Sequence, residues 1–261
     1  MSNLLKVYLI GCGTGDPELL TVKALKTFNK LDIALIDHLI SEEIIELLPK
    51  RTKILYVGKQ QGKLSIKQEE INKLIYEFAK EGLIVGRLKS GDPYVFGRGG
   101  EEGLFLVERG VEVEVIPGIS SAISAPLYAG IPVVMRGYAT SFSVVSAHLA
   151  GNKFNKDWIP LLKLKNHTVV VLMGLSRVKD ILEEAKKEKI DLNTPVAIIS
   201  NASRKNQKVI TGKLKNLVKI SKNAEKPAVI VFGEVVKLKD KLLKTNEIQE
   251  ILQGEAVWKN S

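Results

Sequence analysis

The feature that most constrains this chain is a recurring unit in which a short apolar run stops at glycine and a stretch with helical spacing follows. Residues 7–10 form the first such run and lead into Gly11-Cys12-Gly13-Thr14-Gly15, as a buried strand running into a loop does. Asp16 and Pro17 then supply the N-cap and first residue of a helix whose apolar positions, Leu19, Val22, Leu25 and Phe28, recur every three residues. Residues 33–36 and 54–57 read as the second and third strands. Ser65 and Gln68 make a capping box for a helix carrying Ile71, Leu74, Ile75 and Phe78, which Gly82 closes. A strand at 83–88, a helix running to Arg109 and stopped by Gly110, and a strand at 111–116 complete the half. Alternating strand and helix is the pattern of an α/β domain.

Pro117, Gly118 and the small-residue stretch ISSAISAPLYAG then carry the chain to Ile131 and Pro132 and read as a connection between halves. The boundary is placed near Pro117, giving an N-terminal α/β domain over 1–116, a C-terminal one over 117–240, and a terminal helix or tail over 241–261. The second half repeats the alternation, with strands at 142–146, 168–173, 196–200 and 228–232 and a helix over 177–187 whose EEAKKEK run is a solvated face. Two domains suit a chain of 261 residues.

Composition narrows the partners. The 39 basic and 29 acidic residues leave a formal charge of +10, which favours something anionic. Lysines are scattered, with no dense basic helix and no interleaved aromatics, so nucleic acid is not expected, and a small molecule bearing several carboxylates fits the charge. No apolar run approaches the roughly 18 residues a membrane-spanning helix needs, and the first ten residues lack a signal peptide's layout, so no membrane partner and a cytoplasmic location are expected. Cys12 is the single cysteine and reads as a small buried residue; it and His38, His148 and His167 lack the spacing of a metal site, and no metal is expected.

Two loops carry the candidate chemistry. Gly11, Gly13 and Gly15 lie between strand and helix, where backbone N–H groups can approach an anionic ligand, and Asp37 follows about twenty residues on, as a ribose-binding acid does. The spacing departs from the dinucleotide fingerprint, because Asp16 stands where its last glycine belongs and Pro17 follows. This tells against a nicotinamide-dependent oxidoreductase. The second loop, Ser90-Gly91-Asp92-Pro93, continues through Tyr94, Val95, Phe96 and Gly97-Arg98-Gly99-Gly100 at the end of a strand. Glycines and aromatics together there suit a flat or flexible cofactor, although Gly-Asp-Pro is also ordinary turn chemistry.

The ordered set GCGTGDPELLT, IDHLI, VGKQQGK with KQEEIN, RLKSGDPYVFGRGGEE, VIPGISSA with YAGIP, VLMGL and PAVIVFGEVV, spanning about residues 5–240, resembles the tetrapyrrole methylase family. The resemblance implies two α/β domains with a cofactor cleft between them, a homodimer, and S-adenosylmethionine as methyl donor, leaving as S-adenosylhomocysteine. It also implies C-methylation of a tetrapyrrole, uroporphyrinogen III, at two ring carbons. KQQGK and FGRGGEE favour this over another precorrin methyltransferase or a protein-modifying relative that makes diphthine.

By motif match the resemblance implies cofactor contacts at Thr14, at Ser90, Gly91, Asp92 and Val95, at Ser120 and Ser121, at Met173 and Ala202, and at Ala228 in PAVIVFGEVV. Asp37 matches the proton acceptor. Lys59 matches the proton donor, and would either move a proton or pair with a substrate carboxylate. Arg98 and Arg136 are the candidates for forked contacts to substrate carboxylates. Three positions depart from the family pattern: Thr14 replaces a proline, Ser90 a glycine and Ser121 an alanine. The two small serines should preserve backbone contacts, whereas Thr14 should change the loop's stiffness.

Overall fold

The computed structural model describes residues 5–58 and 66–242. The chain divides into two compact units, Met1–Ser121 and Ala122–Ser261, so that Pro117 to Ser121 fall in the first. The expectation for the terminal tail concerns residues that, from 243 onward, lie outside the described ones.

In the first unit the elements run β1 (Lys6–Gly11), α1 (Val22–Phe28), β2 (Ile33–Ile36), α2 (Glu42–Ile45), β3 (Lys53–Tyr56), α3 (Gln68–Lys80), β4 (Val85–Lys89), α4 (Gly99–Val107) and β5 (Glu112–Ile116). The strands form one parallel sheet in the order β3-β2-β4-β1-β5. A parallel sheet is covered on both faces, so its inner strands read as near-continuous apolar runs, and these were the segments visible in the sequence. Side chains alternate between the faces. Tyr8, Ile10, Ala34, Ile36 and Leu88 pack with Ala24 and Phe28 of α1 and Ile44 of α2. Val7, Leu9, Ile33, Leu35 and Val85 pack with Ile71 and Ile75 of α3 and Leu106 of α4. Full burial of each large side chain among them, such as Phe28 or Ile75, contributes roughly 1.5–3 kcal/mol.

The expected first helix is two pieces. Asp16 caps only a single 3-10 turn, Pro17–Leu19, its carboxylate accepting the Glu18 N–H at 2.9 Å; Leu20 is extended, and Thr21 caps a new helix by accepting the Ala24 N–H at 3.1 Å. The restart turns a different face inward. Ala24, Thr27 and Phe28 are buried at helical spacing, while Val22 and Leu25 face solvent. Ser65 lies outside the described residues; α3 starts at Gln68 with the Lys67 N–H donating to the Glu70 carboxylate at 3.1 Å. Gly82 ends that helix in the left-handed region, φ +82°.

The stretch ISSAISAPLYAG is not a plain connection: it contains helix α5 (Ser121–Tyr128). Pro126 inside it donates no hydrogen bond, yet the turn closes through Ala129 N to Ala125 O at 3.1 Å and Ile131 N to Pro126 O at 2.8 Å. Its small residues are core residues. Ala122 and Ala125 pack against Val170, Ala197 and Val231.

The second unit contains β6 (Ser141–Ser146), β7 (His167–Leu172), α6 (Val178–Lys187), β8 (Pro195–Ser200), β9 (Lys208–Lys213), α7 (Leu217–Ile220) and β10 (Ala228–Phe232). Their order is β6-β7-β10-β8-β9, and only β6 and β7 run parallel. Strand β9, KVITGK, was not anticipated; it pairs with β8 alone, and its charged ends and exposed positions mask it as a strand. Helix α6 buries Val178, Ile181 and Ala185 and turns Glu183, Lys186 and Lys187 to solvent, as expected, while Glu184 is only 17% exposed and pairs with Lys187 at 3.1 Å.

His167, which opens β7, lies between two hydroxyls of β6, with Nδ1 2.7 Å from Ser141 Oγ and Nε2 3.0 Å from Ser143 Oγ. Partial burial lowers its pKa below the ordinary 6.5. The unfolded chain therefore binds more protons than the fold just below pH 6.5, and the stability His167 contributes is present above that value and lost as pH falls through the folded one. Urea midpoints measured from pH 7 to pH 5 should fall more steeply for the native chain than for His167→Gln; equal slopes would contradict this.

Candidate functional site

Strands β1 and β4 are neighbours, yet the chain leaves β1 toward β2 and leaves β4 toward β5, in opposite directions across the sheet. Helices α1 and α4 accordingly cover opposite faces. Such a switch point opens a crevice at the carboxyl ends of the strands, where ligands of open parallel sheets bind. Both candidate loops start there.

The loops meet through glycine backbone. A β-carbon on Gly11 would stand 2.4 Å from Gly118 N, and one on Gly118 would stand 2.2 Å from Gly91 O, so no side chain fits at either position. Gly13 and Gly91 exchange backbone hydrogen bonds, N–H to O at 3.2 and 2.7 Å, and Cys12 N–H donates to Lys89 O at 2.8 Å. The Asp92 carboxylate accepts the Tyr94 N–H at 2.8 Å and the Gly118 N–H at 3.1 Å, tying the β4 loop to the end of β5. Gly97 and Gly99 let the loop close on Pro93, whose carbonyl oxygen would stand 2.8 and 2.6 Å from β-carbons there. Gly91 differs. It is left-handed, φ +72°, and a β-carbon on it would meet nothing nearer than Ser120 Cα at 3.9 Å, leaving a small open cradle beside Ser120 and Ser121.

This geometry brings Gly91, Asp92, Ser120 and Ser121 together with the Gly11–Gly13 turn, which Thr14, buried, follows; Ser90 precedes Gly91, and Val95 is exposed, as are its neighbours Tyr94 and Phe96. In the second unit, Met173 follows β7, Ala202 follows β8 and Ala228 opens β10. The register pairs Ala228 with Ser200 and Val229 with Leu172, so all three lie at one end of that sheet. Met173, Asn201 and Ser203 there hold left-handed backbone. Arg98 is also left-handed and lays its guanidinium along Glu101, Nη2 to Oε2 at 2.6 Å and Nε to Oε1 at 3.1 Å, a pairing that raises the arginine pKa and lowers the glutamate's. Arg136 is exposed in the turn that the Met135–Ala139 bridge closes. Lys59 lies outside the described residues. A recess of about 500 Å³ lined by Asp191, Thr211 and Glu234 sits at the other end of the second sheet and includes none of the expected residues.

Asp37 belongs to an ion network that the sequence reading missed. Arg87 Nη2 donates to Asp37 Oδ1 at 2.6 Å and Arg87 Nε to Glu102 Oε1 at 3.0 Å; Gln68 Nε2 also donates to that oxygen, at 2.8 Å. Lys89 Nζ lies 2.9 Å from Glu102 Oε2, an ion pair without the alignment of a hydrogen bond. The side chains of Arg87 and Lys89 are 3% exposed and that of Glu102 is fully buried. Burial opposes the charge on Arg87, but Asp37 and Glu102 outweigh it and its pKa is raised. At Lys89 burial and the neighbouring Arg87 prevail and the pKa is lowered. The available signal was Arg-x-Lys inside an apolar strand, which puts two cations on one buried face and so requires a buried acid.

Among the described residues no cluster of three or more His, Cys, Asp or Glu could hold a metal ion, and no helix is long and apolar enough to cross a membrane. Cys12 is buried, and burial pushes its thiol pKa up to about 12.

Fold and site define an α/β protein with a glycine-lined crevice at the carboxyl ends of its parallel strands. Residues 6–218 match the family model of the tetrapyrrole (corrin/porphyrin) methylases. A uroporphyrinogen-III C-methyltransferase of Methanocaldococcus jannaschii is 51% identical over 241 residues, covering 90% of this chain and 98% of that one. A siroheme synthase of Photobacterium profundum is 42% identical over 97% of this chain but only 54% of its own length, so the chain spans about half of that kind of relative. The crystal structure of uroporphyrin-III C-methyltransferase from Thermus thermophilus complexed with S-adenosylhomocysteine superposes with a TM-score of 0.77 at 36% identity, covering 89% of this chain and 94% of that one. The chain belongs to the tetrapyrrole methylase family.

Gly118→Ala places a β-carbon inside contact distance of backbone that cannot yield, so it should destabilise the fold by about 3 kcal/mol, at the upper end of overpacking costs. Gly100→Ala, with nothing within 4 Å of its β-carbon, should be near neutral. Chemical denaturation of the two variants checks the contrast.

Proposed function

We infer that this chain is an S-adenosylmethionine-dependent methyltransferase that methylates two ring carbons of uroporphyrinogen III. The observation that carries the reading is the relative from Methanocaldococcus jannaschii, matched at 51% identity over nearly the whole of both chains. The S-adenosylhomocysteine complex of the Thermus relative supports the donor.

The residues of the first unit suit such a donor, because the cradle beside Gly91 is space that any side chain at that position would fill. Ser90, Gly91, Asp92 and Val95 would hold the donor, with Thr14, Ser120 and Ser121 beside them. When bound, S-adenosylmethionine supplies a methyl group already activated on a sulfonium. The protein's part is then largely alignment, which can account for roughly 7–11 kcal/mol of a barrier when reacting atoms are held near contact.

A pyrrole carbon that gains a methyl group leaves the ring system cationic, and loss of a proton from elsewhere in that system neutralises it. Asp37 is the acceptor: its Oδ1 is engaged by Arg87, which leaves Oδ2 for the proton. Arg98 and Arg136 take substrate carboxylates, Arg98 from a guanidinium already oriented by Glu101. Lys59 donates a proton or pairs with a further carboxylate. The exposed Leu104 and Val107, three residues apart on α4, are apolar surface that a second copy would cover, which supports a homodimer. The lone, buried Cys12, which makes no disulfide, suits a cytoplasmic enzyme.

Incubation with S-adenosylmethionine and uroporphyrinogen III, followed by mass spectrometry, should show two added methyl groups, and no gain in mass would end the substrate assignment. Asp37→Asn should lower kcat by on the order of 10²–10⁴ with saturating substrates, the range general-base loss produces.

A further inference from the structure

We propose that Arg87 is a positioning residue for the base, locked by Glu102 so that it fixes the Asp37 carboxylate with one oxygen turned toward the reacting ring. This rests on the reading of Asp37 as proton acceptor. All three guanidinium nitrogens are engaged: Nη2 with Asp37 at 2.6 Å, Nε with Glu102 at 3.0 Å, and Nη1 with the carbonyls of Leu88 at 3.1 Å and Leu35 at 3.4 Å. The head group cannot turn without losing several bonds. Leu35 lies two residues before Asp37, so Arg87 holds both the backbone and the side chain at the end of β2.

Exposure is graded along the network. Glu102 is fully buried, Arg87 is 3% exposed and Asp37 is 28% exposed, so the anchor is deep and only the carboxylate reaches solvent. Gln68 and Lys89 hold Glu102 from α3 and β4, and the charges of Asp37, Glu102, Arg87 and Lys89 balance. A purely structural ion pair would be served by Arg87 and Glu102 alone; the third, short bond to a part-exposed carboxylate is what such a pair does not need. Lysine at 87 could keep a positive charge but not the planar fork.

The test is a cycle of Arg87→Lys, Asp37→Asn and the double variant, with Glu102→Gln as an isosteric change one step further from the base. Folding is checked by near-ultraviolet circular dichroism, and donor binding by calorimetry with S-adenosylhomocysteine. Arg87→Lys should lower kcat on the order of tenfold to a hundredfold, the scale of a misplaced catalytic group, with donor affinity and KM within about twofold. In the Asp37→Asn background it should cost nothing more. Glu102→Gln should lower kcat less, and likewise only while Asp37 is present, which keeps the proposal testable if Arg87→Lys fails to fold. An Asp37→Asn enzyme that is impaired, but loses the same further factor on Arg87→Lys, overturns the positioning role alone. An Asp37→Asn enzyme at full rate overturns the base assignment and the proposal with it.

Discussion

The first unit depends on the buried contact between Arg87 and Glu102. A parallel strand covered on both faces is a poor place for cations, yet β4 carries Arg87 and Lys89 on the face that also holds Val85. They are tolerable only because α4 delivers Glu102 and α3 delivers Gln68 to the same point. Removing one partner of such a buried set leaves an uncompensated charge, typically at about 3–5 kcal/mol. The contact is also directional. It sets how α3 and α4 lie along β4, while Leu106, one turn beyond Glu102, packs into the apolar layer with Ile71 and Ile75.

That anchoring bears on the crevice because Lys89 is the last residue of β4. Its carbonyl accepts the Cys12 N–H, and two residues on Gly91 pairs with Gly13. One strand thus carries the ion network on its side chains and the junction of the two loops on its backbone. Asp37, at the end of the adjacent β2, takes its orientation from the former and its place beside the loops from the register Ile36 to Leu88. Gly58 closes the opposite side, since a β-carbon there would stand 3.3 Å from Asp37 Cα.

Most strands were legible because burial on both faces writes an unbroken apolar run, and the glycine loops were legible because close backbone contact excludes side chains. What was lost had physical causes. Strand β9 pairs on one side only and shows charged ends; α5 is built of alanines and serines around a proline, and packs by smallness rather than by a stripe of large residues. The three-residue spacing after Pro17 ran across an extended Leu20, so it described two elements as one. The ion network joins positions 15 and 50 residues apart, which no local pattern encodes, although two basic residues on one face of an apolar strand were a readable demand for an acid. Thr14, Ser90, Ser120, Met173, Ala202 and Ala228 were nameable only through resemblance, since nothing in their chemistry marks them.

The departures from the family pattern gain a physical reading from the backbone. Ser90 stands where the resemblance implies glycine, but only the next residue, Gly91, is left-handed; position 90 makes no conformational demand that serine cannot meet. The strict positions are Gly11 and Gly118, where backbone meets backbone, and Gly91, whose left-handed φ of +72° favours glycine although the space beside it is open. Ser121 begins α5, where a small polar residue suits a helix start as well as alanine does. The geometry accepts a side chain at 90 and 121 and excludes one at Gly11 and Gly118. Side chains at 90 and 121 should therefore tune how tightly a ligand is held at the crevice, because its shape is set by the backbone junction of Gly11, Gly13, Gly91 and Gly118.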